Sequence, residues 1–379
     1  MNALENVAIV GAAESDLGHT PHLSTLGLMA QATVRAAADA GLPVADIDGV
    51  FTATQHHAMA SLSFCEYLGL KPRYHDTTSV GGCSFVAHLR HAAGAIAAGL
   101  CETALVVYAS TQRSDGGRLV TRSEVHPYEV PYGAIYPISQ FALIAQRHMH
   151  EFGTTPEQLA QVAVAHRAWA ALTPNAYKRV PITVEDVLVS PLVSTPLHRL
   201  DCCLVTDGGA AVILTTRERA RSLARMPVHV LGAAEGFTHR NITAMEDLTR
   251  SAAAVTGPAA FAEAGLGPAD MDFAQLYDAF TITPIVILED LGFCAKGEGG
   301  PFVEGGRTAP GGELPVNTTG GGLSHCQPGM LSLFLLVEGI RQLRGDCAER
   351  QVPDAEVGVV HGLGGSFAAA ATAVIARGA

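Results

Sequence analysis

Apolar residues along the first part of the chain change between two periodicities. Residues 7–11 form a short β-branched run that ends at a glycine, which predicts a strand. Residues 26–40 repeat apolar side chains at helical spacing, and Gly41, a typical helix-ending residue, follows them. Residues 50–53 are again a short apolar run. The order strand, helix, strand is typical of an α/β protein.

A second unit with the same pattern begins at a pair of glycines, Gly81 and Gly82. Residues 85–96 carry one apolar face at helical spacing and predict an amphipathic helix. Residues 104–109 are almost continuously apolar, as expected of a strand that is buried on both faces.

The pattern is less regular between residues 112 and 200, where we expect an inserted loop region with helices near 138–152 and 156–171. The chain then returns to the core through residues 201–214, which predict a tight turn followed by a buried strand.

Two segments of the chain resemble each other. Residues 40–48 and 264–272 both read Ala-Gly-Leu and then close on Asp-x-Asp, and both precede a predicted strand. Later, a predicted helix that ends at Gly99 before an apolar strand has a counterpart that ends at Gly345 before residues 357–360. Two matches in the same order predict a duplicated β/α half.

Composition and charge exclude several classes of protein. The chain has 379 residues, of which 48% are hydrophobic and 16% charged, and this excludes a disordered chain. A net charge of -12 argues against a nucleic-acid-binding protein. No membrane span is predicted, and residues 1–6 lack the cationic region of a signal peptide. Eight cysteines without a Cys-x-x-Cys pair favour a reducing cytoplasmic location and no metal site.

The sequence resembles the thiolase superfamily over nearly its whole length, and within it the lipid-transfer-protein or sterol-carrier-type thiolase-like subunits. Five segments carry the resemblance: residues 81–99, 201–214, Tyr277-Asp278-Ala279-Phe280, 317–324 and 361–365. It implies a layered αβαβα fold with an N-terminal half at 1–230, containing the insertion at 112–200, and a C-terminal half at 231–379.

The same resemblance implies an acyl-CoA thioester as substrate, a homodimer, and a small partner protein with a zinc ribbon and an OB-fold. No glycine-rich phosphate loop with Lys-Ser/Thr is present, so coenzyme A is implied by the resemblance alone.

The chain departs from the thiolase pattern at each of the four catalytic positions. Gly82 stands where the family has its nucleophilic cysteine, with Cys83 one residue later, and Tyr277 stands at the asparagine. Gln327 occupies the histidine position, and His361 replaces the second cysteine.

Five residues are candidates for catalysis. Cys83 lies at a predicted helix start, where free N–H groups favour the thiolate. His361 and His325, both near glycines, are candidate acids or bases, and Tyr277 is a candidate phenol donor. His57 lies on the loop after the second predicted strand.

Each of these candidates also has a structural interpretation, such as a cysteine packed beneath the turn or a tyrosine in the core. The residues expected to contact the cofactor are Gly82, Gln327, Gly364 and Gly365.

Three functions remain open from the sequence. The first is a thiolase-type acyltransferase that forms an acyl-enzyme on Cys83. The second is a lyase that cleaves a 3-hydroxyacyl-CoA by a retro-aldol step without an acyl-enzyme, and Gly82 and Gln327 favour it. The third is a lipid carrier or scaffold without catalysis.

Overall fold

The computed structural model describes residues 3–116, 127–133, 136–223 and 225–378. Parts of two predicted segments lie outside the described residues. They are residues 1–2 of the segment examined for a signal peptide, and residues 117–126 and 134–135 of the predicted insertion. Among the described helices, none has the length and apolar character needed to cross a bilayer.

Eleven strands are assigned in the described part of the chain. They are β1 (Val7–Glu14), β2 (Gly49–Thr52), β3 (Tyr74–Asp76), β4 (Thr103–Ser110), β5 (Leu192–Ser194), β6 (Leu197–His198), β7 (Gly208–Thr216), β8 (Val228–Phe237), β9 (Phe273–Leu276), β10 (Val357–Gly364) and β11 (Ala369–Arg377).

Twelve helices accompany these strands in the described residues. They are α1 (Thr25–Ala40), α2 (Ala60–Leu68), α3 (Ser84–Ala97), α4 (Ile138–Phe152), α5 (Pro156–Ala171), α6 (Val184–Leu188), α7 (Arg217–Ala220), α8 (Ala253–Ala264), α9 (Ile282–Asp290), α10 (Gly299–Phe302), α11 (Gly321–Ser324) and α12 (Ser332–Arg344).

Nine strands form one hydrogen-bonded series in the order β3-β2-β4-β7-β1-β8-β11-β10-β9. The first five belong to the N-terminal half and the last four to the C-terminal half. The two groups meet at a single residue pair, Ile9 and Val228. The series is therefore two sheets joined at one edge, and the short pair β5-β6 stands apart from it.

Helices α3 and α12 lie between the two sheets. Helix α3 packs on β4 and β2 and also on β8, β10 and β11, while α12 packs on β1 and β7 and also on β9 and β10. Helix α1 covers the other face of the first sheet, and α8 covers the other face of the second. The layers run α, β, α, β, α, as the resemblance implied.

The predicted duplication is visible in matching turns. Helices α1 and α8 end at Gly41 and Gly265, whose φ angles are 71° and 68°. Each glycine is followed by a short 3-10 turn, Val44–Asp46 and Pro268–Asp270. The left-handed backbone needed at both positions explains why both are glycine.

Most predicted elements are confirmed, and the differences have physical reasons. Helices α4 and α5 have the predicted bounds. Strands β8 and β11 were not predicted from the sequence, since neither has a simple alternating pattern: the first is only partly buried and the second is almost wholly buried. Strand β10 continues to Gly364, so the expected end of this strand at residue 360 is wrong.

Candidate active site

A cavity lies where the loops that lead into the two central helices meet the segment after β9. It encloses about 970 Å³ of empty space, including its open mouth. Its polar wall contains Tyr277 and Gln327, and its glycine wall contains Gly81, Gly82 and Gly329. The described cavity-lining residues thus combine four of the five segments that carry the family resemblance: 81–99, 201–214, 277–280 and 361–365.

Tyr277 is the central polar side chain of this cavity. It follows β9 directly, and its backbone N–H donates to the carbonyl of His361 at 3.1 Å. Its hydroxyl donates to the carbonyl of Gly329 at 3.2 Å and accepts from the Gln327 amide at 3.4 Å. Burial raises the pKa of the Tyr277 phenol well above its usual value. The hydroxyl is therefore protonated at neutral pH and can act as a hydrogen-bond donor.

Gly82 and Tyr277 fill one space between them. A Cβ atom at residue 82 would lie 2.6 Å from the Tyr277 hydroxyl oxygen and 2.6 Å from the Leu363 carbonyl oxygen. Any side chain at residue 82 would collide with both. The position at which the thiolase pattern holds its nucleophile is thus occupied by the phenol from the other half of the fold.

Cys83 lies beneath the glycine turn, away from the cavity. Its side chain is fully buried, and its thiol donates to the Val80 carbonyl at 3.2 Å. The glycine backbone of β10 packs against it: a Cβ at Gly364 would lie 3.0 Å from the Cys83 sulfur.

Burial raises the pKa of the Cys83 thiol to about 12. The loss of hydration raises the pKa of this thiol by more than the N–H groups at the helix start lower it. The thiol is therefore protonated at neutral pH, contrary to the expectation of a thiolate. Cys83 is not among the described residues that line the cavity.

The cysteines among the described lining residues are Cys202 and Cys203. Burial raises the pKa of each to about 12, so both are protonated at neutral pH. From the sequence, this pair is expected only to form part of the turn before β7. One feature of the sequence could have indicated that this pair lies near the site: it stands between Asp201 and Leu204, in a segment that carries the family resemblance.

An apolar wall completes the cavity. Phe141 of α4 and Phe280 stack with ring centroids 4.8 Å apart, and both line the cavity together with Ile138 and Met330. Gln55 and Gln112 contribute further amides. Ile138 and Phe141 were not predicted, because α4 comes from the predicted insertion, whose distance from the core the sequence does not reveal.

His361 lies inside β10 rather than at its end. The residue is fully buried, its Nδ1 pairs with the Thr372 hydroxyl at 2.8 Å, and its Nε2 has no hydrogen-bond partner. Burial lowers the pKa of His361 to about 3, so the ring is neutral at physiological pH. His361 is not among the described residues that line the cavity.

His325 and His57 are also placed away from the cavity lining. His325 is buried, and its Nε2 lies 3.7 Å from the Glu14 carboxylate, which Arg341 also contacts at 2.8 Å. Burial lowers the pKa of His325. His57 is half-buried on the loop after β2. Of the five candidate catalytic residues, Tyr277 is therefore in the described lining of the cavity, and Cys83, His361, His325 and His57 are not.

Asp278 and Asn317 hold the loops that carry the site. Asp278 accepts from the N–H groups of Gly322 and Leu323 at 2.7 and 3.1 Å, which caps α11, and it pairs with His166 at 2.9 Å. The Asn317 amide exchanges two hydrogen bonds with the backbone of Leu276 at the end of β9. Both are positioning residues for Tyr277.

The residues expected to contact the cofactor divide between two adjoining cavities. Gly82, Gln327 and Gly365 line the first cavity. Gly364 and Gly365 line the second, whose wall also contains His239 and Arg240. Gly365 is therefore shared between the two.

Comparison with known proteins gives the family. The model of the "Thiolase C-terminal domain-like" family matches residues 234–377. An acetyl-CoA acetyltransferase of Methanothermobacter thermautotrophicus is 33% identical over 99% of this chain and 100% of that protein. A 17-hydroxy-3-oxo-4-pregnene-20-carboxyl-CoA lyase of Mycobacterium tuberculosis is 35% identical over 89% of this chain and 91% of that protein.

A solved structure extends the likeness to three dimensions. The Ltp2-ChsH2(DUF35) aldolase superposes with a TM-score of 0.90 at 31% identity, and the match covers 98% of each chain. Sterol carrier protein 2 of Bos taurus is 29% identical over 63% of this chain and 45% of that protein. The chain belongs to the thiolase superfamily.

Proposed function

We propose that this chain cleaves a 3-hydroxyacyl-CoA by a retro-aldol reaction that forms no acyl-enzyme. The observation that carries the proposal is the shared space of Gly82 and Tyr277: the nucleophile position has no side chain and is filled by a protonated phenol. The buried Cys83 thiol supports it, since a thiol with a raised pKa and no place in the cavity wall is a poor nucleophile.

In this reaction the 3-hydroxyl group loses its proton and the bond between C2 and C3 breaks. C3 becomes a ketone or aldehyde carbonyl, and the electron pair passes to C2 as a thioester enolate, which takes up a proton. The net proton transfer runs from the 3-oxygen to C2. A tyrosine hydroxyl that accepts one proton as it donates its own can relay it without a change of charge.

Tyr277 is held ready for this relay. Gln327 donates to its oxygen and Gly329 accepts from it, so the hydroxyl is oriented before substrate binds. A thioester oxygen that replaces the Gly329 carbonyl would accept a hydrogen bond from the Tyr277 hydroxyl while the enolate forms, before the Tyr277 proton passes to C2. Donors held in place in this way stabilise developing charge without reorganisation.

The cavity walls support a bulky apolar acyl group. Phe141, Phe280, Ile138 and Leu363 line one side, and stacked aromatic rings favour flat hydrocarbon groups. The lyase among the relatives is named for a pregnene carboxyl-CoA, which has this character.

The adjoining cavity is the proposed route for the coenzyme. Arg240 lies in its wall and supplies a cation for a phosphate, while Gly364 and Gly365 let the pantetheine arm approach the backbone. We also propose that the chain forms a homodimer and works with a small zinc-ribbon and OB-fold partner. The structural neighbour with a DUF35 protein supports such a partner.

The need for free coenzyme A distinguishes the two chemistries. A retro-Claisen cleavage of a 3-oxoacyl-CoA consumes free CoA, whereas a retro-aldol cleavage of a 3-hydroxyacyl-CoA does not. We expect the protein, with its partner if one is required, to cleave a 3-hydroxyacyl-CoA in the absence of free CoA, and Cys83→Ala to retain this activity. Cleavage that depends on free CoA and is lost in Cys83→Ala would overturn the proposal in favour of the acyltransferase.

A further inference from the structure

Asp76, His88 and His91 form a cluster of three potential metal ligands next to the glycine turn in the sequence. Asp76 ends β3, and His88 and His91 lie one turn apart on α3. One ligand atom from each side chain lies within 4.8 Å of the others. Residues three apart on a helix share a face, so both rings point towards the end of the strand.

His88 has a free ring nitrogen in this cluster. Its Nε2 lies 3.0 Å from the Thr78 carbonyl oxygen, which only accepts, so Nε2 carries the hydrogen and Nδ1 has a lone pair. The ring is fully buried and Nδ1 has no hydrogen-bond partner. A buried acceptor without a partner is costly unless a ligand satisfies it.

The other two residues have the outer contacts of a metal site. His91 Nε2 lies 2.8 Å from the Glu235 carboxylate and its Nδ1 lies 2.9 Å from Asp76 Oδ2. The second oxygen of Asp76 accepts from the backbone and hydroxyl groups of Thr78 at 2.7 Å each. Ligating histidines characteristically donate their second N–H to a carboxylate or a backbone carbonyl, as both histidines do here.

We propose that Asp76, His88 and His91 bind one divalent transition-metal ion, with zinc as the preferred class. The ligand atoms are Asp76 Oδ2, His88 Nδ1 and His91 Nδ1. Two imidazoles and one carboxylate suit Zn²⁺ and its neighbours better than Mg²⁺ or Ca²⁺, which prefer oxygen alone. The Asp76 and His91 side chains are 18% and 23% exposed, which leaves an entry path and a position for water.

Such an ion would tie together the two ends of the glycine turn. Its ligands bracket residues 77–87, which include Gly81 and Gly82 of the cavity wall. The ion would fix the end of β3 to α3 and stabilise the folded chain by mass action. This proposal is independent of the reaction that the cavity catalyses.

The test uses the full chain after treatment with a chelator and dialysis. Titration with Co²⁺ is followed by visible absorption, and Zn²⁺ binding by calorimetry. We expect the chain to bind one equivalent of either metal. Zn²⁺ is expected to displace Co²⁺ and to raise the melting temperature of the protein. Asp76→Asn and His88→Gln are expected to abolish this binding, and Glu235→Gln to weaken it by about 10–100-fold.

His75→Gln is the matched control, because His75 is the exposed neighbour of Asp76 and pairs with Ser61 instead. It is expected to bind like the unchanged protein. If circular dichroism shows that His88→Gln does not fold, metal binding is measured instead with His91→Gln and Asp76→Asn, which replace half-buried side chains. The proposal would be overturned if metal binding did not saturate at one equivalent, or if Asp76→Asn and His91→Gln bound the metal as tightly as the unchanged protein.

Discussion

The two central helices begin at turns of unlike chemistry. The turn before α3 gives the cavity only the backbone of Gly81 and Gly82 and hides the Cys83 thiol beneath it. The loop before α12 contributes the Gln327 amide and the Gly329 carbonyl, both in contact with Tyr277. The polar groups at the centre of the cavity thus come from the C-terminal half, and the N-terminal half makes room for them.

Gly82 of the N-terminal half and Tyr277 of the C-terminal half depend on each other. A glycine at residue 82 is useful only if another group fills the space of a nucleophile, and Tyr277 fills it. The same tyrosine would not fit above a side chain at residue 82. Substitutions of Tyr277 and Gly82 test this dependence, and substitutions of His361 and Cys83 test the buried groups that lie outside the cavity lining.

The largest expected effect is that of Tyr277→Phe, which removes the hydroxyl and keeps the ring. We expect cleavage of a 3-hydroxyacyl-CoA to slow by about 10²–10⁴-fold, the usual contribution of a positioned acid or base, as measured by steady-state kinetics. Tyr108→Phe is the control, because this buried tyrosine pairs with Pro328 and is not among the described cavity-lining residues. Equal losses in the two variants would mean that the Tyr277 hydroxyl has only a structural role.

Gly82→Ala places a methyl group against Tyr277 and against the backbone of Leu363. Overpacking of this kind lowers the free energy of unfolding by about 1–3 kcal/mol, and urea unfolding measures it. Gly94→Ala in α3 is the matched control, since a Cβ there meets no atom within 4 Å. We expect Gly94→Ala to stabilise the chain by about 0.5–1 kcal/mol. A Gly82→Ala protein as stable as the control would show that the turn has more room than the structure shows.

His361 makes stability depend on pH. Its native pKa of about 3 lies below the unfolded value of 6.5, so between these values the unfolded chain binds more protons and stability falls as pH falls. From pH 7 to pH 5 this amounts to about 2 kcal/mol at most. Urea unfolding at the two pH values should show a smaller loss for His361→Gln than for the unchanged protein. Equal losses would show that the ring titrates normally in the folded chain.

Cys83→Ala has the smallest expected effect. Removing one buried sulfur costs about 1 kcal/mol in the free energy of unfolding, and the kinetic constants should stay within about twofold of the unchanged protein, because the thiol donates only to Val80. Parallel unfolding and kinetic measurements check both statements. A large loss of activity with little loss of stability would place the thiol in the chemistry after all.

The sequence predicted the duplication from local signals such as helix-ending glycines and apolar periodicity, whereas the layered αβαβα order was implied by the family resemblance. It also predicted that Tyr277, Gly82 and Gln327 lie in the site, since they stand at the family's catalytic positions, and all three line the cavity. It could not predict the burial of Cys83, because a shift of one residue around a helix start turns the side chain from the cavity to the core. The Asp76–His91 cluster was missed for a similar reason: its ligands come from a strand and a helix, without a metal-binding spacing.

The most direct test is the mass of the intact protein, quenched during turnover of a 3-hydroxyacyl-CoA and, separately, after incubation with a short acyl-CoA. The account predicts an unmodified chain in both samples, with ketone or aldehyde product formed in the first. An acyl adduct that forms during turnover and maps to Cys83 would contradict it.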